Sequence, residues 1–168
     1  FKMVEKRFNY NRFLISGKGR KIRKYFKDVE RDFSLFADTY LNQNTESSRE
    51  VGAYYIIGNN RAEKIYKVIG TLPRRVAFPG KGLDIRWSCS FKRLELIEID
   101  WKGVEFFVRA HSHPIDNDVT EQDIVEGERD LSYIPENVRY MQMIYSQYPI
   151  SGRKFNWVEH IRNKTSPQ

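Results

Sequence analysis

Two short stretches hold the side chains best suited to chemistry. His111-Ser112-His113-Pro114 places two imidazoles two residues apart, and Thr120-Glu121-Gln122-Asp123 follows after a five-residue connection. If the first stretch ends a strand, residues i and i+2 project to one side, and both imidazoles can reach one ion. Pro114 has no amide hydrogen to give to a ladder, so the strand is expected to stop there and the chain to turn. Thr120 is a good N-cap, which places Asp123 in the first turn of the next helix, close to where the strand finished. Two histidines and one carboxylate make a zinc set with a fourth position open to water, which distinguishes a catalytic metal from a structural one. The third histidine of the chain, His160, is left over near the polar tail. The only cysteine, Cys89, excludes an internal disulfide and any thiolate-rich metal site. A metal here must be held by imidazole and carboxylate.

Other carboxylates compete for a role. Glu105 shares the His111 face, but six residues of strand place it about 20 Å away. Asp116 and Asp118 lie in the connecting loop and are near enough in sequence to replace Asp123 as ligand. Ser112 is expected to point away from its histidine neighbours and is given no chemistry. Gly17-Lys18-Gly19-Arg20 has glycines and charge but lacks the Gly-Lys-Ser/Thr ending of a phosphate loop. Asn163-Lys164-Thr165 is a glycosylation sequon of a kind that arises often by chance, and Trp87, Trp101 and Trp157 are expected to pack in the core or at its edge.

The elements that must position these residues follow from periodicity. Phe33, Phe36, Ala37, Tyr40 and Leu41 keep the spacing of one helical face, which predicts a helix over about 31 to 43. The polar run 42 to 48 ends it. Val51 to Ile57 is a continuous apolar run before Gly58-Asn59-Asn60 and reads as a buried strand and turn, with a second strand over 64 to 69. Residues 70 to 92, with Pro73, Pro79 and Gly80-Lys81-Gly82, read as an irregular excursion. A hairpin is expected from strands over 94 to 100 and 104 to 111. In the second of these, Val104, Phe106, Val108 and Ala110 would face the core, and Glu105, Phe107, Arg109 and His111 a cleft. A helix over 121 to 131 and strands near 139 to 146 and 153 to 158 complete the order. The fold class expected is α/β, one mixed sheet with helices packed on it.

With 168 residues the chain has the length of one domain. Its 40% hydrophobic and 14% aromatic content excludes a disordered chain. No apolar run approaches the roughly 18 to 20 residues that span a bilayer. Residues 1 to 30 hold ten Lys and Arg against three Asp and Glu, the whole of the net charge of +7, and the remainder is balanced. That segment is expected to be a basic arm or linker able to attract nucleic acid, preceding a domain over 31 to 160 and a polar tail over 161 to 168. No secretory signal opens the chain, which begins at Phe1, and a cytoplasmic setting is expected, with secretion as part of a bacterial effector as the alternative.

His111-Ser112-His113-Pro114, a short loop and Thr120-x-x-Asp123 together resemble the signature of the JAMM (JAB/MPN) zinc metalloproteases, which is His-x-His-Pro, about six residues, then Ser-x-x-Asp. The upstream family element, Glu-x-Gly-Gly followed by apolar residues and Gly, is similar to Glu50-Val51-Gly52-Ala53-Tyr54-Tyr55-Ile56-Ile57-Gly58. This chain departs from the pattern in a loop one residue shorter, in Thr120 for Ser, and in a Glu50 to Gly58 interval one residue longer. The resemblance implies a JAB/MPN-like fold related to cytidine deaminases and a Zn2+ ion on His111, His113 and Asp123. It further implies Glu50 as general base and acid beside the metal-bound water, and Thr120 as hydrogen-bond donor to the oxyanion. The implied activity is hydrolysis of a peptide or isopeptide bond, on a protein, peptide or ubiquitin-like substrate. In some bacteria such domains are the C-terminal toxin module of larger secreted proteins. The competing reading is a non-catalytic JAB/MPN-like binding module, as in the RadC group, acting through partners or nucleic acid. A nucleotide deaminase is remote, because those enzymes resemble Cys-x-x-Cys ligand sets.

Overall fold

The structure is a computed structural model that describes residues 3–7, 17–41, 47–80 and 82–162. The main sheet is built from β1 (Met3–Arg7), β2 (Val51–Gly58), β3 (Arg61–Ile69), β6 (Val104–Ser112), β7 (Arg139–Tyr145) and β8 (Phe155–Arg162). Their order across it is β1-β8-β7-β6-β2-β3. Every pairing is antiparallel except β6 with β7, which run parallel. Parallel neighbours need a crossover, and helix α2 (Glu121–Leu131) supplies it. The long helix α1 (Gly17–Asp38) packs on the other face. This is the mixed α/β arrangement expected from the order of elements.

Alternation sorts the side chains between the two faces. Toward α1 point Val51, Ala53, Tyr55 and Ile57 of β2, Phe106, Val108 and Ala110 of β6, and Met141 and Met143 of β7, closing on Phe26, Val29 and Phe33 of the helix. Toward the other side point Tyr54, Phe107 and Tyr140, with Leu131 at the end of α2 and Ile134 just beyond it.

Helix α1 begins well before residue 31 and ends at Asp38, so the helix expected over 31 to 43 is corrected at both ends. The expected basic arm over 1 to 30 is corrected with it: residues 17 to 30 are the first half of α1, and Met3–Arg7 is an edge strand on β8. The reason is a stripe of Ile22, Phe26, Val29, Phe33 and Ala37, spaced three and four apart, that the intervening Lys and Arg disguise in the sequence. Phe26 and Val29 are fully buried, which contributes about 1.5–3 kcal/mol each. Asp32 and Asp38 accept hydrogen bonds from Tyr55 and Tyr145 of the sheet, at 2.5 and 2.6 Å, and buried Glu30 accepts one from the Trp157 indole at 3.0 Å. Residues 1–2, 8–16, 42–46 and 163–168, parts of the expected arm, polar run and tail, lie outside the described residues.

Two further expectations are corrected. Residues 70 to 92 contain an ordered hairpin, β4 (Thr71–Phe78) and β5 (Gly82–Ser88), which forms its own two-stranded sheet. Pro73 cannot donate to the ladder and coincides with a register shift between Thr71 and Arg74, while Gly80 and Gly82 adopt φ of 76° and 73° at the turn. Residues 94 to 100 do not pair with β6; they form a 3-10 turn over Leu94–Leu96, a bend at Ile97 and then no regular structure. Leu94 is buried under the α2 side of the sheet, and β6 takes β2 as its antiparallel neighbour instead. No helix among the described residues is long and apolar enough to cross a membrane.

Candidate metal centre

Strand β6 ends on His111 and Ser112, as the proline signal required, and α2 begins at Glu121. The helix start is a capping box. The Asp123 amide donates to Thr120 Oγ1 at 3.2 Å, and the Thr120 amide donates to Asp123 Oδ2 at 3.0 Å. The box fixes the Asp123 carboxylate and turns its other oxygen toward β6. His111 Nε2 lies 3.1 Å from Asp123 Oδ1, His113 Nε2 lies 3.6 Å from Oδ2, and the two Nε2 atoms are 2.9 Å apart.

These spacings suit a shared ion. Bonds of ~2.0–2.1 Å at tetrahedral angles separate ligand atoms by about 3.3 Å. His113 Nδ1 donates to the Asp116 carbonyl at 2.9 Å, which leaves its Nε2 lone pair free for a ligand role. Burial, then the neighbouring His111, push His113 down to about 4, so it is neutral, the form that binds metal. Burial alone would raise the Asp123 carboxyl, but the hydrogen bond and charge of His111, the Thr120 amide and His113 together hold it well below the usual carboxylate range. His111, His113 and Asp123 are the only His, Cys, Asp and Glu cluster of three among the described residues that could hold a metal ion. Asp116 serves through its carbonyl, its carboxylate capping the Asn117 amide at 2.8 Å. Asp118 and Glu105 are exposed outside this cluster.

Glu50 stands at the rim. In the antiparallel register Gly52 faces His111, so continuing the pairing puts Glu50 beside His113. Two hydrogen bonds fix the backbone there: the Glu50 carbonyl accepts from the Gly70 amide at 2.7 Å, and the Val51 amide donates to Ser112 Oγ at 2.9 Å. Burial, with the charges of Asp123 and Glu126, pushes the Glu50 carboxyl up to about 7, against the pull of His111. The hairpin β4–β5 begins and ends here, since a side chain at Gly70 would meet the Glu50 and Ser88 carbonyls. Cys89 is pushed up to about 12 by burial and by the Glu50 charge, which leaves it a protonated thiol. The hydroxyl of Thr120 accepts from Asp123, and its own hydrogen remains to be donated.

Several residues to which the sequence assigned no chemistry shape this centre. Arg109, two residues before His111, is buried and clamps α2 to β6: its guanidinium donates to Asp130 Oδ2 at 2.7 Å and Glu126 Oε2 at 2.5 Å. Asp123, Glu126 and Asp130 share one stripe of α2, so the clamp that holds the last two also seats the first. Phe91 stacks on the Arg109 guanidinium at 3.9 Å and lies against Gly52, where any side chain would strike its ring. The available signal was an arginine between Val108 and Ala110, followed on the next helix by acidic residues at positions 123, 126 and 130, about two turns of one face. Ser112 proves to be fully buried, and its hydroxyl ties β6 to the residue after Glu50. His160, left over in the sequence, lies beneath α2, with Nε2 2.6 Å from Gln142 Oε1.

No family model, no curated protein and no solved structure matches this chain.

Proposed function

We propose that this chain is a zinc-dependent hydrolase of peptide or isopeptide bonds, with a JAB/MPN-like architecture. The observation that carries the reading is the convergence of His111, His113 and Asp123 at zinc-compatible spacing, with Glu50 held one strand away. The donor set fits zinc, because two neutral imidazoles and one carboxylate leave room for a further ligand. When bound, zinc supplies Lewis acidity and lowers the pKa of water toward neutrality.

The chain's own residues do the rest. Glu50 takes a proton from the attacking water and returns it to the leaving amine. Thr120 donates its hydroxyl hydrogen to the carbonyl oxygen as that oxygen takes on negative charge. The capping box and the Arg109 clamp fix Asp123, while Ser112 and Gly70 fix the backbone on either side of Glu50. The test is a panel of peptide and ubiquitin-like substrates offered to zinc-loaded protein. Cleavage that depends on Glu50 and stops with a chelator supports the reading; a zinc-loaded protein inert on the whole panel contradicts it.

One observation favours a second reading. Arg20, Lys21, Arg23, Lys24, Lys27 and Arg31 are all exposed on α1, on the side turned from the sheet. A basic helix face can bind nucleic acid or an acidic partner. Salt-dependent binding to a mixed oligonucleotide, abolished by charge reversal at Lys21 and Lys24, would favour a binding module over a hydrolase.

A further inference from the structure

The α2 side of the sheet holds four buried polar atoms with no hydrogen-bond partner among the described residues: Arg109 Nε, His111 Nδ1, Gln142 Nε2 and His160 Nδ1. Their residues are neighbours. Arg109 and His111 are alternate residues of β6, Gln142 stands opposite Arg109 on β7, and His160 of β8 bonds Gln142 at 2.6 Å. All four are at least nine-tenths buried, at 1, 5, 0 and 3% exposure in that order. Helix α2 roofs them, and Gly127 makes room: a side chain there would lie 3.1–3.4 Å from the His160 ring.

The donors and acceptors do not balance. An amide oxygen only accepts, so His160 Nε2 carries the hydrogen of the bond to Gln142, and its Nδ1 is a bare lone pair. Arg109 Nε and Gln142 Nε2 are donors. His111 Nδ1 is also a donor whenever Nε2 gives its lone pair to a metal. Three donors and one acceptor cannot satisfy one another, and buried polar groups as a rule find partners in protein or ordered water. Water, with two lone pairs and two hydrogens, can accept from two of these donors and donate to His160. The contrast with His113 is direct, since its outer nitrogen already has the Asp116 carbonyl. Ligating histidines are oriented by what their second nitrogen bonds, and loss of that partner commonly weakens metal binding ~10–100-fold.

We propose that Gln142 and His160, through water held beneath α2, are the outer hydrogen-bond partners of His111 and set its ring for the metal. They are positioning residues, and the assignment rests on the metal-centre reading.

The experiment compares wild type with Gln142→Met, which keeps the volume and removes the amide, and with Gly127→Ala, whose methyl meets the His160 ring first. Zinc affinity is measured by competition with a chromogenic chelator, the melting of the metal-free proteins is recorded, and the His111 imidazole 15N and 1H signals are followed in zinc-loaded samples. We expect Gln142→Met to bind zinc ~10-fold or more weakly. Its metal-free form should melt within a few degrees of wild type. The His111 Nδ1 proton, slow to exchange in wild type, should exchange fast in the variant. Gly127→Ala should move the same signal in the same direction, and it serves alone if Gln142→Met does not fold. Zinc affinity within twofold of wild type in the folded variants overturns the inference, as does an unchanged His111 proton signal beside any loss of affinity, which assigns the pair to packing. Wild-type protein that takes up no zinc overturns the metal reading and this role together, an outcome visible before any variant is made.

Discussion

On the α1 face of the sheet, Phe26, Val29 and Phe33 meet strand residues that are apolar or aromatic, and the polar contacts are few: Asp32 with Tyr55, Asp38 with Tyr145, and buried Glu30 with Trp157. On the α2 face the same strands present Arg109, His111, Gln142 and His160, all buried, against Asp123, Glu126 and Asp130. Both faces come from one alternation, so adjacent residues of β6 serve opposite ends: Val108 and Ala110 join the core, while Arg109 and His111 join the charged layer. The apolar face gains by removal from water. The charged face is costly to bury, and holds only because its groups are paired. A fold that sets one layer aside in this way concentrates ionisable groups where their protonation and ligand geometry are controlled.

The sharpest way to break that comparison is to cut one residue from each face. Phe26→Ala should cost about 3–5 kcal/mol of stability, through lost burial and a cavity. Arg109→Met should cost a similar ~3–5 kcal/mol, because Glu126 and Asp130 are left without their cation. The two should differ in what else they change. Phe26→Ala should keep wild-type zinc affinity in the folded fraction, whereas Arg109→Met should weaken it by loosening α2. Denaturant unfolding with parallel zinc titration checks both; equal zinc affinity in the two variants would dissolve the distinction between the faces.

Glu50→Gln comes next. Hydrolysis should fall about 10²–10⁴-fold, the usual worth of a positioned base, with zinc still bound. With Zn2+ bound, whose charge lowers the Glu50 pKa below its metal-free value of about 7, the wild-type rate should rise with pH and level off once Glu50 has lost its proton. Stability of the metal-free protein should move the opposite way. The folded-state pKa lies above the ordinary 4.5, so the contribution of protonated Glu50 is fully present below that value and is lost as pH rises through about 7. Glu50→Gln should flatten that slope, and melting curves from pH 4 to 8 would show it.

Smaller effects sharpen the picture. Ser112→Ala leaves the Val51 amide buried without its acceptor and should cost about 1–3 kcal/mol. It should also lower turnover by freeing the chain beside Glu50. Thr120→Ala should cost about 1 kcal/mol as a lost cap, with a further loss of hydrolysis, and Thr120→Ser should restore both. Chemical denaturation and single-turnover rates separate the two contributions.

The sequence made the local parts of this arrangement legible. The helix over Glu121–Leu131, its Thr120 cap and the strand ending before Pro114 all follow from short-range rules. The candidate ligands could be named because all three lie within thirteen residues of chain. What was hidden depends on pairing across the sheet. Residues 94 to 100 have the composition of a strand, yet β2 takes the place beside β6. The stripe of α1 was obscured because Lys and Arg crowd the helix's solvent side, and the hairpin β4–β5 because its prolines and glycines read as disorder of the ladder. The roles of Arg109, Gln142 and His160 come from three different strands and a helix, and no local spacing announces them.

The central claim, that His111, His113 and Asp123 together hold a catalytic metal, is tested most directly by elemental analysis of purified protein after dialysis against trace zinc. Wild type should retain about one equivalent of zinc per chain, while His113→Ala and Asp123→Asn, folded by circular dichroism, should retain almost none. Wild-type protein that comes through the same dialysis without zinc, or variants that keep as much as wild type, would contradict it.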